Sequence, residues 1–575
     1  MKALFAVSAS VGSGKTMAAV EYMTRREAGT QDFIYVAPTI RLLNQTEEQL
    51  RSALRGQGSI RNVHLIHSEA TFEECFSALS EALQVINERP AGVGRVVFLT
   101  TKTFLGVLPN IVDRPRWSLI LDEAFAPVTF IEYHLGPRPE EGLAYFHEMF
   151  RVDPDDHYLV SPVEGRRGLV EEIASGRLEQ CGQKHLGQSQ LAQSVSNHAI
   201  RCELVVTPKS RRPASVVGRE AAEQTATQTR CQTLLVACYV TPEYFGQFRE
   251  AIVLSALFEH TVLYHLWTRS FGVRFLPHPW FTAGRLRNVH TEQGPTISIG
   301  HLLHPEDRAS KHNLFANRHT GRPGERSPGN RVLDSLVRTA VEFFRGSRFL
   351  LQTNNGSGYG PGGALLPSAA VPIPVASHGL NNFMGADHIA ALAVTNPNPQ
   401  EQEWVQSRTG LTKDQVQQAY RIHTVYQAVG RTSIRSATRT KSRRVFLVAG
   451  YDDALLLHRL FRGSTWLGQV GDQASLKGVR EVMTVPSEMR KLAAAIVEHL
   501  DALPSDVREI SSRSVKAQVA PQVPSSTWTE AARMAADDSL TWTKAGHSFR
   551  RVVYDDFFGK ALDDGQCAET HMINQ

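Results

Sequence analysis

The segment that most constrains this chain is ASVGSGKT, residues 9–16. It follows a strand-compatible run at residues 2–8 and precedes MAAVEYMTRRE, whose apolar residues recur at helical spacing. A strand, a glycine loop and a helix in that order are what a phosphate-gripping loop needs. Gly12 and Gly14, with Ser13 between them, let backbone N–H groups curl around a β-phosphate, and the helix N-terminus adds its positive dipole end. Lys15 is then placed to reach the β- and γ-phosphates, and the Thr16 hydroxyl to hold Mg²⁺. Ala9 stands where the strictest pattern has its first glycine, a small-for-small exchange. The expected ligands are ATP and Mg²⁺.

Such a loop needs a second, acidic strand. WSLILDEAF, residues 117–125, ends an apolar strand in Asp122 and Glu123, which puts both carboxylates at a strand's C-terminal edge. Asp122 is expected to ligate Mg²⁺ and Glu123 to orient or deprotonate the attacking water. An acidic turn after a buried strand explains the pair when it is taken alone. The glycine loop upstream favours the catalytic reading.

The 575 residues exceed what one core holds, and 42% hydrophobic with 21% charged residues is the composition of a globular protein. No apolar run is long enough to span a bilayer, and residues 1–12 run into the glycine loop without room for a signal cleavage region, so the expected location is cytoplasmic and no membrane partner is expected. Cys181, Cys202, Cys231 and Cys238 raise a metal or iron–sulfur cluster, but no CxxC pair occurs and the gaps are irregular. Buried or incidental thiols explain them better. The formal charge of +5 permits nucleic-acid binding without demanding it.

FIYVAPTIRLLNQTEEQL, residues 33–50, is a strand followed by a turn with Thr39 and Arg41. VVFLTTKTFLGVL, residues 96–108, is another strand, ending in Thr101 and Lys102. Hydroxyls and cations at strand ends suit phosphate contacts that read no sequence. VYQAVGRTSIRS, residues 425–436, places Gln427, Gly430 and Arg431 on an expected helix, with Arg435 one turn further along the same face.

In this order the segments resemble the motifs of superfamily 2 (DEAD/DEAH-like) helicases. Residues 33–50 and 96–108 are similar to motifs Ia and Ib, Asp122 to Phe125 to the DEAD/DEAH box with Phe in its last place, and residues 249–267, with Ser255 and Ala256, to motif III. Residues 331–355 are similar to motif IV, and residues 374–397, with Gly379 and Asn381 in a glycine turn, to motif V. Gln427, Gly430 and Arg431 match the QxxGR core of motif VI, although the family's second Arg usually comes three residues after the first, where this chain has Ile434. The chain looks most like helicases encoded by bacteriophages and mobile elements.

The resemblance implies an α/β fold of two RecA-like lobes, with ATP in the cleft and nucleic acid across the top. Residues 1–268 would be lobe one, with an insertion at about 130–245, residues 269–460 lobe two, and residues 461–575 a mainly helical accessory domain. Gly12, Ser13, Gly14, Lys15, Thr16 and Gly430 would contact the nucleotide. Thr16 and Asp122 would hold the metal, and Glu123, Lys15, Gln427, Arg431 and Arg435 would serve hydrolysis, with Arg431 and Arg435 sharing the γ-phosphate. Thr39, Arg41, Thr101, Lys102, Gly379 and Asn381 would hold a single strand or a partly duplex nucleic acid, DNA before RNA. A protein partner through the insertion or the C-terminal domain is a further expectation.

Three readings compete: an ATP-dependent helicase or translocase, a non-unwinding ATP-driven clamp or remodelling switch, and a P-loop kinase or transporter ATPase that has no use for residues 427–435. In the tail, Trp528, Trp542, Phe549, Arg550 and Arg551 suit either strand binding or a small helical core.

Overall fold

A computed structural model describes the chain except residues 1–3, 26–29, 59–60, 68–71, 89–91, 136–137, 176–185, 206–232, 283, 288–295, 316–330, 377–382, 437–441, 475–486, 505, 539–541 and 552–575. Two compact units result. One comprises residues 1–314 and 333–473, the other residues 315–332 and 474–575.

The first lobe of the larger unit grows from strands of β-branched and aromatic residues. Strands β1 (Leu4–Ser8), β2 (Asp32–Ala37), β3 (Asn62–Ile66), β4 (Arg95–Thr100) and β5 (Trp117–Asp122) alternate with helices α1 (Lys15–Thr24), α2 (Ile40–Gln57), α3 (Phe72–Asn87) and α4 (Thr101–Val107). Strands β11 (Glu250–Ser255) and β12 (Phe275–Pro277) complete a seven-stranded sheet ordered β12-β1-β11-β5-β2-β4-β3, every pair parallel. Alternate residues of single strands feed two different cores, Ile34, Val36 and Leu119 on one face and Phe33, Tyr35 and Ile120 on the other. Both faces are therefore covered, as a parallel sheet requires. This sheet runs past residue 268 to Pro277.

Between β5 and β11 lies the insertion. Strands β6 (Val128–His134), β7 (Phe150–Asp153), β8 (Leu159–Pro162), β9 (Ile200–Leu204) and β10 (Thr233–Val240) form a sheet ordered β6-β10-β9-β8-β7, with antiparallel pairs. Helices α5 (Pro139–Met149), α6 (Arg167–Ala174) and α7 (Leu186–Ser196) contribute Phe146, Met149, Val170 and Leu191 to its core. Cys202 and Cys238 face each other across β9 and β10 as buried free thiols, while Cys181 and Cys231 lie outside the described residues. Among the described residues no group of three or more His, Cys, Asp or Glu is placed to hold a metal ion.

After α8 (Val262–Phe271) and β12 the second lobe begins. Strands β13 (Ile297–Leu303), β14 (Phe349–Gln352), β15 (Ala370–Ile373), β16 (His388–Ala391), β17 (Arg444–Val448) and β18 (Thr465–Ala474) form a sheet ordered β15-β14-β16-β17-β13-β18. Helices α9 (Lys311–Leu314), α10 (Val332–Phe343), α11 (Pro399–Thr409), α12 (Lys413–Val429) and α13 (Tyr451–Leu460) accompany it. Val11 and Ala256 of the first lobe are buried in the same cluster as Tyr426, Ala428 and Val429 of the second. The two lobes share a core at that point.

The smaller unit packs α14 (Ser487–Asp501), α15 (Ser512–Val519) and α16 (Ser525–Asp538) with a three-stranded sheet of β19 (Glu509–Ser511), β21 (Ser548–Arg551) and β20 (Trp542–Ala545). Trp528, Trp542 and Phe549 are buried in its core, so the hydrophobic effect claims these rings and none of them stands out as a platform for bases. No described helix is long and apolar enough to cross a membrane.

Candidate functional site

The parallel register brings the ends of β1, β11 and β5 side by side, with Ser8 beside Ser255 and Leu254 beside Asp122. Everything placed just after these strands meets at one sheet edge. The loop leaving β1 is anchored by the Ala9 N–H on the Ser255 carbonyl, 3.2 Å, and turns back through Ser13 N–H to the Ser10 carbonyl, 3.2 Å. Gly12 and Gly14 hold φ 73° and 93°, the left-handed region that glycine reaches without a Cβ clash. Lys15, at the start of α1, donates to the carbonyls of Ala9 and Ser10 at 2.9 and 3.0 Å. Burial lowers the pKa of its ammonium, against the opposing pull of Glu123 and Asp122. The hydroxyl of Ser13, itself buried, finds no hydrogen-bond partner among the described residues.

Asp122 Oδ2 accepts from Thr16 Oγ1 at 2.8 Å and from the Tyr35 hydroxyl of β2. Burial and then the neighbouring Glu123 charge push its pKa up to about 6. A buried hydroxyl and carboxylate in contact are hard oxygen donors of the kind Mg²⁺ takes when it keeps waters and phosphates as its other ligands. Thr16 and Asp122 fit that ion.

Glu123 has φ 97°, strained for a residue with a side chain, and its N–H is fixed on the Leu254 carbonyl at 2.8 Å. The carboxylate is aimed at the second lobe. Gln427 Nε2 on α12 donates to its Oε1 at 3.1 Å, Ser255 Oγ stands 3.4 Å from Oε2, and His423 Nε2 lies 3.6 Å from the same oxygen. Arg431 Nη2 donates to Gln427 Oε1 at 3.2 Å. Burial, then repulsion from Arg435, lowers the Arg431 pKa to about 9, which leaves it charged at neutral pH. On the other side, the Val11 N–H donates to the Tyr426 hydroxyl at 3.2 Å, and a methyl built on Gly430 would fall 2.5 Å from Val11 Cγ2. One built on Gly12 would fall 2.7 Å from Arg435 Cγ. Two glycines, one from each lobe, let the loop and the turn after α12 touch.

The expectation that Arg431 and Arg435 share a helix face needs correction. α12 ends at Val429, Gly430 is its C-cap, and Arg435 closes a separate 3₁₀ turn, Ser433–Arg435. The turn tightens through Arg431 N–H to the Ala428 carbonyl, 2.9 Å, an i→i−3 bond that ends the α-helical ladder. Arg435 still reaches the loop, from a turn rather than a helix.

Of the expected nucleic-acid contacts, Thr39 is the N-cap of α2, its hydroxyl accepting from the Leu42 N–H at 3.3 Å, and Arg41 is exposed on the first turn. Thr101 and the exposed Lys102 open α4, capped by Thr100, rather than extending the strand. All four follow the C-terminal ends of β2 and β4, on the edge that carries the loop. Gly379 and Asn381 lie outside the described residues.

Residues 2–124, which hold the loop, Tyr35, Asp122 and Glu123, match the DEAD/DEAH box helicase family model. The chain carries a DEAD/DEAH box helicase domain. The match marks residues 2–124 as a domain of the ATP-hydrolysing kind found in that family. Among solved structures the chain is similar to S. cerevisiae Dbp5 bound to RNA and ADP BeF3, at 9% identity and TM-score 0.33, over 81% of this chain and 85% of that one. It is also similar to the DEAD-box helicase Mss116 bound to ssRNA and UDP-BeF, at 9% identity and TM-score 0.29, over 94% and 84%. No curated protein matches. The family model matches residues 2–124 of the 575.

Four residues at the helicase cleft escape a reading of motifs. Tyr35 bonds Asp122 from a strand interior, where a buried aromatic carries no signal. His423 stands four residues before Gln427 on α12, a helical spacing that was the available clue, whereas Tyr426, one residue before it, lies off that face and carried none. Arg287 donates its N–H to the Ser13 carbonyl at 2.9 Å and its Nη2 to the carbonyls of Gly12 at 2.9 Å and Arg435 at 2.5 Å. It belongs to no motif, and nothing in its surroundings in sequence marks it.

Proposed function

We propose that the helicase hydrolyses ATP in the cleft between its lobes and uses the cycle to move along one strand of nucleic acid, DNA before RNA. The observation that carries this reading is the Gln427 to Glu123 hydrogen bond, 3.1 Å long, which joins the carboxylate of one lobe to the arginine-bearing segment of the other. In this reading Lys15 exchanges its two loop carbonyls for the β- and γ-phosphates, and the orphaned Ser13 hydroxyl and the Gly12, Gly14 and Gly430 backbone gain the nucleotide. Thr16 and Asp122 hold Mg²⁺, which when bound neutralises charge on the phosphate oxygens. Glu123 orients the attacking water and takes its proton as the oxygen–phosphorus bond forms and the γ-phosphoryl leaves ADP. Arg431 and Arg435 meet the charge that spreads over the transferring group, with Gln427 holding Arg431 in place.

Because the site is complete only when both lobes meet, hydrolysis weakens their contact and lets them part. Thr39, Arg41, Thr101 and Lys102 hold the strand by phosphate contacts, to which Gly379 and Asn381 are added from lobe two. Such contacts require no 2′-hydroxyl, so DNA suffices as a track.

The test is ATP hydrolysis with and without single-stranded DNA or RNA side by side, using Lys15→Ala as the blank, followed by strand displacement on a partial duplex. Stimulation together with displacement supports the reading. Stimulation without displacement replaces the motor by a non-unwinding clamp, and an active preparation that neither DNA nor RNA stimulates overturns both.

A further inference from the structure

Glu203, on β9 of the inserted sheet, is 1% exposed and surrounded by donors. Within its own sheet, the Tyr239 hydroxyl donates to Oε1 at 2.6 Å and Arg201 Nε at 3.2 Å. The other oxygen looks out of the insertion. Oε2 accepts from Trp404 Nε1 at 3.3 Å and from Arg408 Nη2, both on α11 of the second lobe. The Trp404 ring meets Phe130 of β6 edge-on at 5.7 Å and Tyr239 at 5.2 Å. The end of α11 is held from the first lobe as well, by Arg269 Nη1 on the Thr409 carbonyl at 2.8 Å and Ser270 Oγ on the Arg408 carbonyl at 2.7 Å.

What α11 leads to gives this grip its meaning. Gly410, Leu411 and Thr412 separate it from α12, and Gln417 Nε2 ties the two helices by donating to Gln402 Oε1 at 3.1 Å. Leu411, Val416 and Ala419 are buried in the first lobe's core. At its far end the same helix carries Gln427, and just beyond it stand Arg431 and Arg435. A part-buried ion pair, a clamped helix, a capped elbow and a second helix thus run without a break from the insertion to the ATP cleft.

We propose that Glu203 is a positioning residue for ATP hydrolysis: from the inserted sheet it fixes the α11–α12 elbow and so sets where Gln427, Arg431 and Arg435 meet the phosphate loop. The proposal rests on hydrolysis taking place in the inter-lobe cleft. Its physical basis is that a buried carboxylate with several directional donors tolerates little displacement, since losing a partner leaves a charge unpaired in the interior. A shift of about 1 Å at a group that contacts the transition state is enough to cost roughly 10²-fold in rate. The inserted sheet then acts as a brace on the second lobe's catalytic arm.

The experiment uses the full chain as wild type, Glu203→Gln, Arg408→Ala, their combination, and Trp404→Phe, which keeps a ring and loses one donor. Three quantities are read: kcat and KM for ATP with saturating single-stranded DNA, thermal unfolding to fix the folded fraction, and hydrogen exchange of peptides covering residues 413–435. Per folded molecule, Glu203→Gln and Arg408→Ala are expected to lower kcat about tenfold or more while KM stays within about twofold. The double variant should be no worse than the poorer single, because both remove one interaction. Exchange in residues 413–435 should accelerate, and Trp404→Phe should lie between. Wild-type kcat per folded molecule in both single variants, or unchanged exchange in residues 413–435, overturns the brace. A wild type that hydrolyses no more ATP than Lys15→Ala overturns the reading of the cleft instead.

Discussion

A glutamate at φ 97° costs about 1–3 kcal/mol of backbone strain relative to a relaxed conformation. Glu123 also raises the pKa of the buried Asp122 beside it, which is unfavourable charge repulsion. Stability is therefore given up at this position, and a residue that enters the left-handed region more readily should recover part of it. Glu123→Asn is expected to keep or raise the unfolding temperature while reducing kcat by at least about 10²-fold, measured by thermal unfolding and steady-state hydrolysis. A variant that melts earlier than wild type would show that the contacts with Gln427 and Ser255 outweigh the strain. The arginines separate by a different readout. Arg431→Ala should leave nucleotide affinity within a few-fold yet lower kcat by roughly 10²–10³, because its contribution arises as charge develops on the phosphoryl group. If Arg431→Ala retains full turnover, the motif VI assignment fails.

Among the elements, the start of β11 illustrates how the scaffold holds the cleft. Glu250 accepts from the Tyr22 hydroxyl of α1 at 2.6 Å and lies 3.2 Å from His278 Nε2, beyond β12. Burial alone would raise its pKa, but the hydrogen bonds from His278, Tyr22 and Ser118 outweigh it and hold the carboxyl at about 2, against an ordinary 4.5. The folded pKa lies below the unfolded one. The stabilisation is therefore present above about pH 4.5 and lost as pH falls from there towards 2. Glu250→Gln should lower stability at neutral pH by on the order of 2 kcal/mol and flatten the acid limb between these values, as read by denaturant melts across pH. Equal steepness in both proteins would refute the assignment.

Legibility at this scale follows from where a signal is local. The strand, loop and helix of residues 4–24 and the acidic end of β5 were readable because phosphate and metal chemistry dictates which residue types stand there. The end of α12 was not, since Gly430 stops the helix with φ −65°, a conformation any residue adopts, and so without the left-handed turn that flags a glycine cap. Nor was the inserted sheet, whose β6 and β10 pair Val128 with Tyr239 across a segment carrying no hairpin signal. The Glu203, Trp404 and Arg408 cluster joins residues about 200 apart in sequence, and each one by itself reads as an ordinary polar or aromatic residue.

At the scale of the whole molecule, the proposed grip on backbone phosphates should reveal how many are gripped. Binding of a single strand releases condensed counterions, so the logarithm of its affinity falls with the logarithm of salt concentration by about 0.7 for each phosphate neutralised. Arg41 and Lys102 are exposed cations on two helices of one lobe, each following one of the paired strands β2 and β4. Replacing either by Ala should reduce that slope by about 0.7, weaken every sequence alike, and leave hydrolysis without nucleic acid unchanged. The measurement is a salt titration of binding to homopolymeric strands of two compositions. Loss of affinity with an unaltered slope would place the residue away from the backbone track, while loss for one composition only would mean that it reads bases. The two slopes taken together also decide the mechanism of stepping. If ATP binding steepens the wild-type slope by the same amount that the Arg41→Ala and Lys102→Ala variants lack, these cations engage the strand only when the cleft closes, and the cycle itself alternates grip and release.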